Sequence, residues 1–278
     1  MAVVPKCRSL HTHNRVLVLA PGRRGAFAAG FTLIETILVV LLVGILMSLL
    51  LPALGKTRDH ARAIMSVSQL RSHGQIMNMY VGDWDDAWPW FADPEATKTV
   101  IRCQERETSI EIRYFQSGNN WNYALADGYY EGNYDDESFY PPGMPEGVGT
   151  LGMRGRSTPY AYGCAFIARP EFWRPESRTG PDQWGFTRSS EVLYPAEKVL
   201  LISDWPMITK LEHNPLPPIN AITIPTEMCF VDGSAVSLPV AELKPGYEMG
   251  DGPFQGFMHL ADYPFSAHTL GGVRGRDR

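Results

Sequence analysis

A single carboxylate stands at the front edge of a long apolar run. It is Glu35, in Gly30-Phe31-Thr32-Leu33-Ile34-Glu35, and the stretch Thr36–Leu51 that follows holds no charge. An acid carried into a bilayer costs on the order of 2.5–3.5 kcal/mol at the centre of an inserting helix and less near the interface. An acid in such a place is read as functional, and it needs a partner. The chemistry expected of Glu35 is therefore ion pairing beside or within a membrane rather than bond making.

Other groupings of reactive residues are weaker. Asp83-Trp84-Asp85-Asp86 has the alternating acids of a calcium loop but lacks the glycine and distal glutamate of an EF-hand, and reads as a solvated helix stop. Asp204 and Asp232 each follow a predicted strand and would converge on calcium only if those strands are neighbours; otherwise they are a strand end and a turn former. No cofactor is expected; calcium is the ion that these acids would suit. His213, His259, His268 and Asp262 fit no metal-ligand spacing. There is no Gly-x-Ser-x-Gly, so no nucleophile elbow, and no catalytic set is visible. Seven tryptophans are read first as core, with a sugar-binding tip as the alternative.

The element that carries Glu35 is Phe31–Leu54, 24 residues with one charge. At 1.5 Å per residue it is long enough for a hydrocarbon core of about 30 Å. Lys6, Arg8, Arg15, Arg23 and Arg24 precede it, with no acid among them. The positive-inside rule places residues 1–30 in the cytoplasm and the chain after Pro52 outside. A secretory signal fits less well, because the real apolar run lies after the small-residue site Ala26-Phe27-Ala28. Pro52 lacks an N–H and is expected to kink the helix near Met47–Pro52, because helical patterning resumes beyond it. Gly44 and Ser48 give a small-xxx-small pair for close helix approach.

Here the chain resembles the type IV prepilins and the pseudopilins of type II secretion, on Gly30, Phe31, Thr32, Leu33, Ile34, Glu35, Gly44 and Pro52. The resemblance implies cleavage after Gly30 by a prepilin peptidase and N-methylation of Phe31 by the same enzyme. Glu35 then falls at the fifth mature position and Pro52 at the twenty-second. It implies assembly with other pilin or pseudopilin subunits on an inner-membrane platform, with the Glu35 carboxylate meeting the N-terminal ammonium of a neighbour. The location implied is the bacterial inner membrane, crossed once, with the C-terminal domain outside the cytoplasm and later in a pilus or pseudopilus. The fold implied is α+β and pilin-like: a long N-terminal helix, transmembrane in its first half to about residue 54, packed on a C-terminal antiparallel sheet with decorated loops. The expected division is a leader at 1–30, the helix at 31–82 and a globular β-rich part at 83–278. The alternative is a membrane-anchored extracellular module that binds glycan or another ligand and never polymerises.

Beyond Pro52, Ala63, Val67, Leu70, Gly74, Met77 and Val81 recur at spacings of 3 and 4 and predict one buried stripe. Thr97–Arg102 and Ser109–Phe115 are expected strands, with a short helix near Asn122–Ala126. Ser157–Phe166 and Lys198–Ser203 read as strands, and Asp232-Gly233 between apolar runs predicts a hairpin from Glu227 to Leu238. The same three segments extend the resemblance, as a Tyr-rich strand, a Pro195–Asp204 strand and a final Asp-Gly-Ser hairpin.

Composition sets outer bounds. The whole chain carries −5, and losing the leader leaves 20 basic against 30 acidic side chains, a net charge of −10. No nucleic-acid partner is expected of such a surface. After the leader, Cys103, Cys164 and Cys229 remain, an odd number on the oxidising side of a membrane. Cys103–Cys164 is the bridge that best fits loop-rich surroundings.

Overall fold

The computed structural model describes residues 32–95, 99–103, 106–110, 114–144, 158–203, 225–244, 246, 259–260, 263–264 and 268–278. The chain divides into two units, Met1–Pro52 and Ala53–Arg278. Helix α1, Leu33–Asp83, carries the sequence through Pro52 rather than ending there. It stops where Asp85 and Asp86 take left-handed conformations, φ 50° and 67°. Aspartate tolerates that region better than most residues, and a right-handed helix does not continue through it.

In the first unit the described side chains, Thr32 to Pro52, are all exposed, including an unbroken series of Leu, Ile and Val. This is one helix long and apolar enough to cross a membrane.

In the second unit, the helix from about Ser66 to Val81 lies against a four-stranded antiparallel sheet. The strands are β3 (Tyr160–Tyr162), β4 (Val199–Ser203), β5 (Pro225–Phe230) and β6 (Ala235–Pro239), in that spatial order. The molecule is thus α+β, with a long N-terminal apolar helix and a C-terminal antiparallel sheet. The Asp232-Gly233 turn joins β5 to β6, with Gly233 at φ 83°. Asp232 Oδ1 accepts from the Ser234 amide and hydroxyl, closing the turn.

The predicted stripe on α1 is right at Leu70, Gly74, Met77 and Val81, which are buried, and half right at Ala63 and Val67. Ser66, His73 and Tyr80, seven residues apart, are buried beside it. Gly74 permits the closest approach to the sheet, since a Cβ there would lie 2.5 Å from Cys229 Sγ. Tyr160 reaches the same helix, its hydroxyl 3.0 Å from Ser66 Oγ and donating to Gln69 Oε1 at 2.8 Å.

Two outlying hairpins pair β1 (Thr99–Cys103) with β2 (Arg106–Ile110), and His259–Leu260 with Tyr263–Pro264. The strand expected over Ser109–Phe115 is corrected: β2 ends at Ile110, and Tyr114–Asn119 winds as a 3-10 helix. Tyr114 and Phe115 plug the core against Trp184 and Phe172 instead of pairing along a ladder. Helix α2, Trp121–Tyr129, covers the predicted Asn122–Ala126. Short 3-10 turns, three of them started by Pro170, Pro181 and Pro195, punctuate the connection from β3 to β4.

Aromatic rings dominate the core. Trp88, Trp121 and Trp173 are fully buried, as are Tyr160, Phe139, Phe166 and Phe172. Burying large, two-rotor side chains removes much apolar area at small entropic cost.

Candidate functional site at the start of the apolar helix

Thr32 is the last residue before α1 and Glu35 its third, the spacing of a capping box. The Thr32 amide donates to Glu35 Oε2 at 2.9 Å and its hydroxyl donates to the same oxygen at 2.7 Å. The Glu35 amide returns a bond to Thr32 Oγ1 at 3.3 Å. Thr36 adds a hydroxyl bond to the Thr32 carbonyl, also 3.3 Å. The carboxylate therefore sits at the positive end of the helix dipole and satisfies a backbone donor that no helical bond could. Glu35 does have a partner in this chain, and it is local. The Thr-x-x-Glu spacing that makes this cap is legible in the sequence.

Gly30 and Phe31, the expected cleavage and methylation positions, lie outside the described residues. Around the Glu35 carboxylate the described surroundings are Thr32 and exposed apolar side chains, with no basic side chain within salt-bridge distance among the described residues. The arrangement holds one oxygen of the acid at the helix tip.

The other candidate acids serve structure. Asp83 accepts from the Tyr129 hydroxyl at 2.6 Å, Asp85 pairs with Arg188 at 3.0 Å, and Asp86 accepts from the Ser190 amide at 3.0 Å. Three acids that answer three different partners are a helix stop rather than a calcium cradle. Asp232 is the turn former already described; Asp204, His213 and Asp262 lie outside the described residues. His268 stacks on Trp173 at 5.5 Å. Among the described residues, no three His, Cys, Asp or Glu gather.

Cys164 is buried, its thiol directed at the Phe115 carbonyl at 3.7 Å, while the Cys103 side chain lies outside the described residues. Cys229 is buried against α1, and burial pushes its thiol up to about 12. It is held as the unreactive thiol.

Two buried polar centres had no sequence signal. The first is His73 on α1. Its Nε2 lies 2.7 Å from the Ser138 carbonyl, which can only accept, so Nε2 carries the proton. Nδ1 then accepts from the Tyr130 hydroxyl at 2.6 Å. Rings of Trp121, Phe139 and Tyr160 surround the imidazole. Burial pushes it down to about 4, against a smaller opposing pull from the Ser138 carbonyl and Asp136.

The second is a fully buried pair, Lys198 Nζ to Asp277 Oδ2 at 3.3 Å. Lys198 also donates to Thr269 Oγ1 and to the Gly272 carbonyl, and Asp277 accepts from Thr269 Oγ1 and the Val199 amide. Burial draws the ammonium down and the carboxyl up from their usual values, and mutual attraction opposes both shifts. The pair ties the last residues of the chain to the start of β4.

Comparison of the chain with known protein families, with curated proteins and with solved structures finds no match.

Proposed function

We propose that this chain is a prepilin-like subunit, cut after Gly30, N-methylated on Phe31 and packed into a pilus or secretion pseudopilus through its apolar helix. The observation that carries the reading is the tip of α1. A basic leader and Gly30-Phe31 precede a helix whose described first half is wholly exposed and apolar, and whose single acid sits in the first turn. Cleavage after Gly30 frees an α-ammonium one residue before Thr32. The Glu35 carboxylate, held at the same helix end, is the counter-charge available to that ammonium or to a neighbour's. Pairing offsets a desolvation cost that neither ion could bear alone.

On this reading the prepilin peptidase, an inner-membrane assembly platform, membrane lipid and sister subunits are the partners. The leader faces the cytoplasm and Ala53–Arg278 lies outside it. Pro52 bends the helix, and Gly44 with Ser48 lets neighbouring helices approach. The test is processing and assembly in a host that carries a prepilin peptidase. Replacing Gly30 with Ala or a larger residue is expected to leave the full-length precursor. Glu35→Ala is expected to be cut normally but lost from sheared filaments; a Glu35→Ala protein that assembles like wild type contradicts the proposed role.

A further inference from the structure

We infer that a surface strip, exposed at Trp84, Asp85 and Phe186 and half-buried at Arg188 and Trp90, is a binding platform for a neutral polysaccharide. The strip is contiguous. An antiparallel bridge joins Ala87 to Arg188, and the Trp88 amide donates to the Thr187 carbonyl at 2.9 Å. Arg188 Nη1 donates to the Asp85 carboxylate at 3.0 Å and also to the Asp85 carbonyl. The Arg188 guanidinium lies 5.7 Å from the Phe186 ring, which lies 6.3 Å from the Trp90 ring. Trp84 directly precedes Asp85. The Asp85–Arg188 pair thus stands between the backbone of Trp84 and the neighbouring rings of Phe186 and Trp90.

The rings are both presented and held. Trp84 is 58% exposed and Phe186 43%, whereas Trp88, Trp121 and Trp173 are core. Trp84 stacks on Tyr80 at 5.4 Å and 12°, so its inner face is backed by protein. Trp90 Nε1 donates to the Tyr114 hydroxyl at 2.8 Å. Aromatic side chains fixed in this way contribute contact area at little conformational cost.

A pyranose has a C–H face that covers an aromatic ring and a rim of hydroxyls that both donate and accept. Asp85 and Arg188 pair with each other through one oxygen and one nitrogen, and their other polar atoms offer an acceptor and donors beside the Phe186 ring. Asp83 and Asp86 flank the strip, so three acids stand against one arginine on a chain of net charge −5. Such a surface repels uronates and nucleic-acid phosphates and leaves a neutral sugar as the matching ligand. The strip is built from exposed and half-buried side chains on two segments of the surface, and it suits a stretch of polymer bound weakly at each copy. The platform stands without the filament reading; a filament would add avidity by repeating it.

The test uses the full-length protein in lipid nanodiscs, free of sugar detergents. Retention is measured on insoluble chitin and cellulose and by titration with mannan and a neutral β-glucan. Polygalacturonate and single-stranded DNA are the anionic comparisons. At least one neutral polysaccharide is expected to bind, with Trp84→Ala and Phe186→Ala each weakening it up to about tenfold. Both side chains are exposed, so the variants are expected to melt like the parent. Retention by no neutral polysaccharide, unchanged retention in the double variant, or preference for either polyanion overturns the inference.

Discussion

His73 is neutral in the folded chain because a cage of rings has taken its water away, and that makes stability depend on pH. Its folded value of about 4 lies below the ordinary 6.5. Between those values the unfolded chain takes up a proton that the folded chain refuses. The contribution is therefore complete above pH 6.5 and is lost as pH falls towards 4, by at most about 3 kcal/mol. Urea midpoints measured from pH 7 to 4.5 are expected to fall across that window. In His73→Gln, which keeps a donor for Ser138 and an acceptor for Tyr130, the slope is expected to flatten. The Lys198–Asp277 pair gives a second expectation. Asp277→Ala strands a buried amine and is expected to cost about 3–5 kcal/mol in chemical denaturation, while Lys198→Met with Asp277→Leu together cost far less. Neither centre was legible in the sequence. His73 lies off the apolar stripe, and Lys198 and Asp277 are brought together only by the fold. Thr32 with Glu35 was legible, because a capping box is written in four consecutive residues.

At the scale of elements, the contact between α1 and the sheet is set by one missing side chain. A Cβ at Gly74 would fall 2.5 Å from Cys229 Sγ, in a buried seam. Gly74→Ala is expected to destabilise by about 1–3 kcal/mol through overpacking. Adding Cys229→Ala is expected to return part of that loss, which a double-mutant cycle measures as coupling. The elements that local chemistry dictates were read correctly. The Asp-Gly turn made the β5–β6 hairpin plain, the run Val199–Ser203 made β4 plain, and helical spacing made α1 plain beyond Pro52. Misreadings came where tertiary packing chose the use of a residue. Tyr114 and Phe115 look like strand residues but serve as core plugs in a 3-10 turn. Ser66, His73 and Tyr80, which the apolar stripe leaves out, lie buried because Tyr160 on the sheet and the rings of Trp121, Tyr129, Tyr130 and Phe139 answer them. Trp88 and Trp84, four residues apart, went to core and surface respectively, a difference set by the left-handed pair Asp85–Asp86 between them.

For the whole molecule, the two units divide the work on the proposed reading. The apolar helix stores the subunit in the membrane and later packs it among its neighbours. The α+β unit, tied internally by Lys198 and Asp277, carries the surface that meets the outside. A non-polymerising glycan-binding anchor shares the second half of that account but not the first. Shearing separates the two, because only a subunit appears in filaments. The first step, however, is common to every consequence drawn for Glu35: the chain must be cut after Gly30. Intact-mass and N-terminal sequencing of the mature protein tests this directly. The expected result is a chain that starts at N-methylated Phe31; a mature protein that keeps residues 1–30, or starts anywhere else, contradicts it.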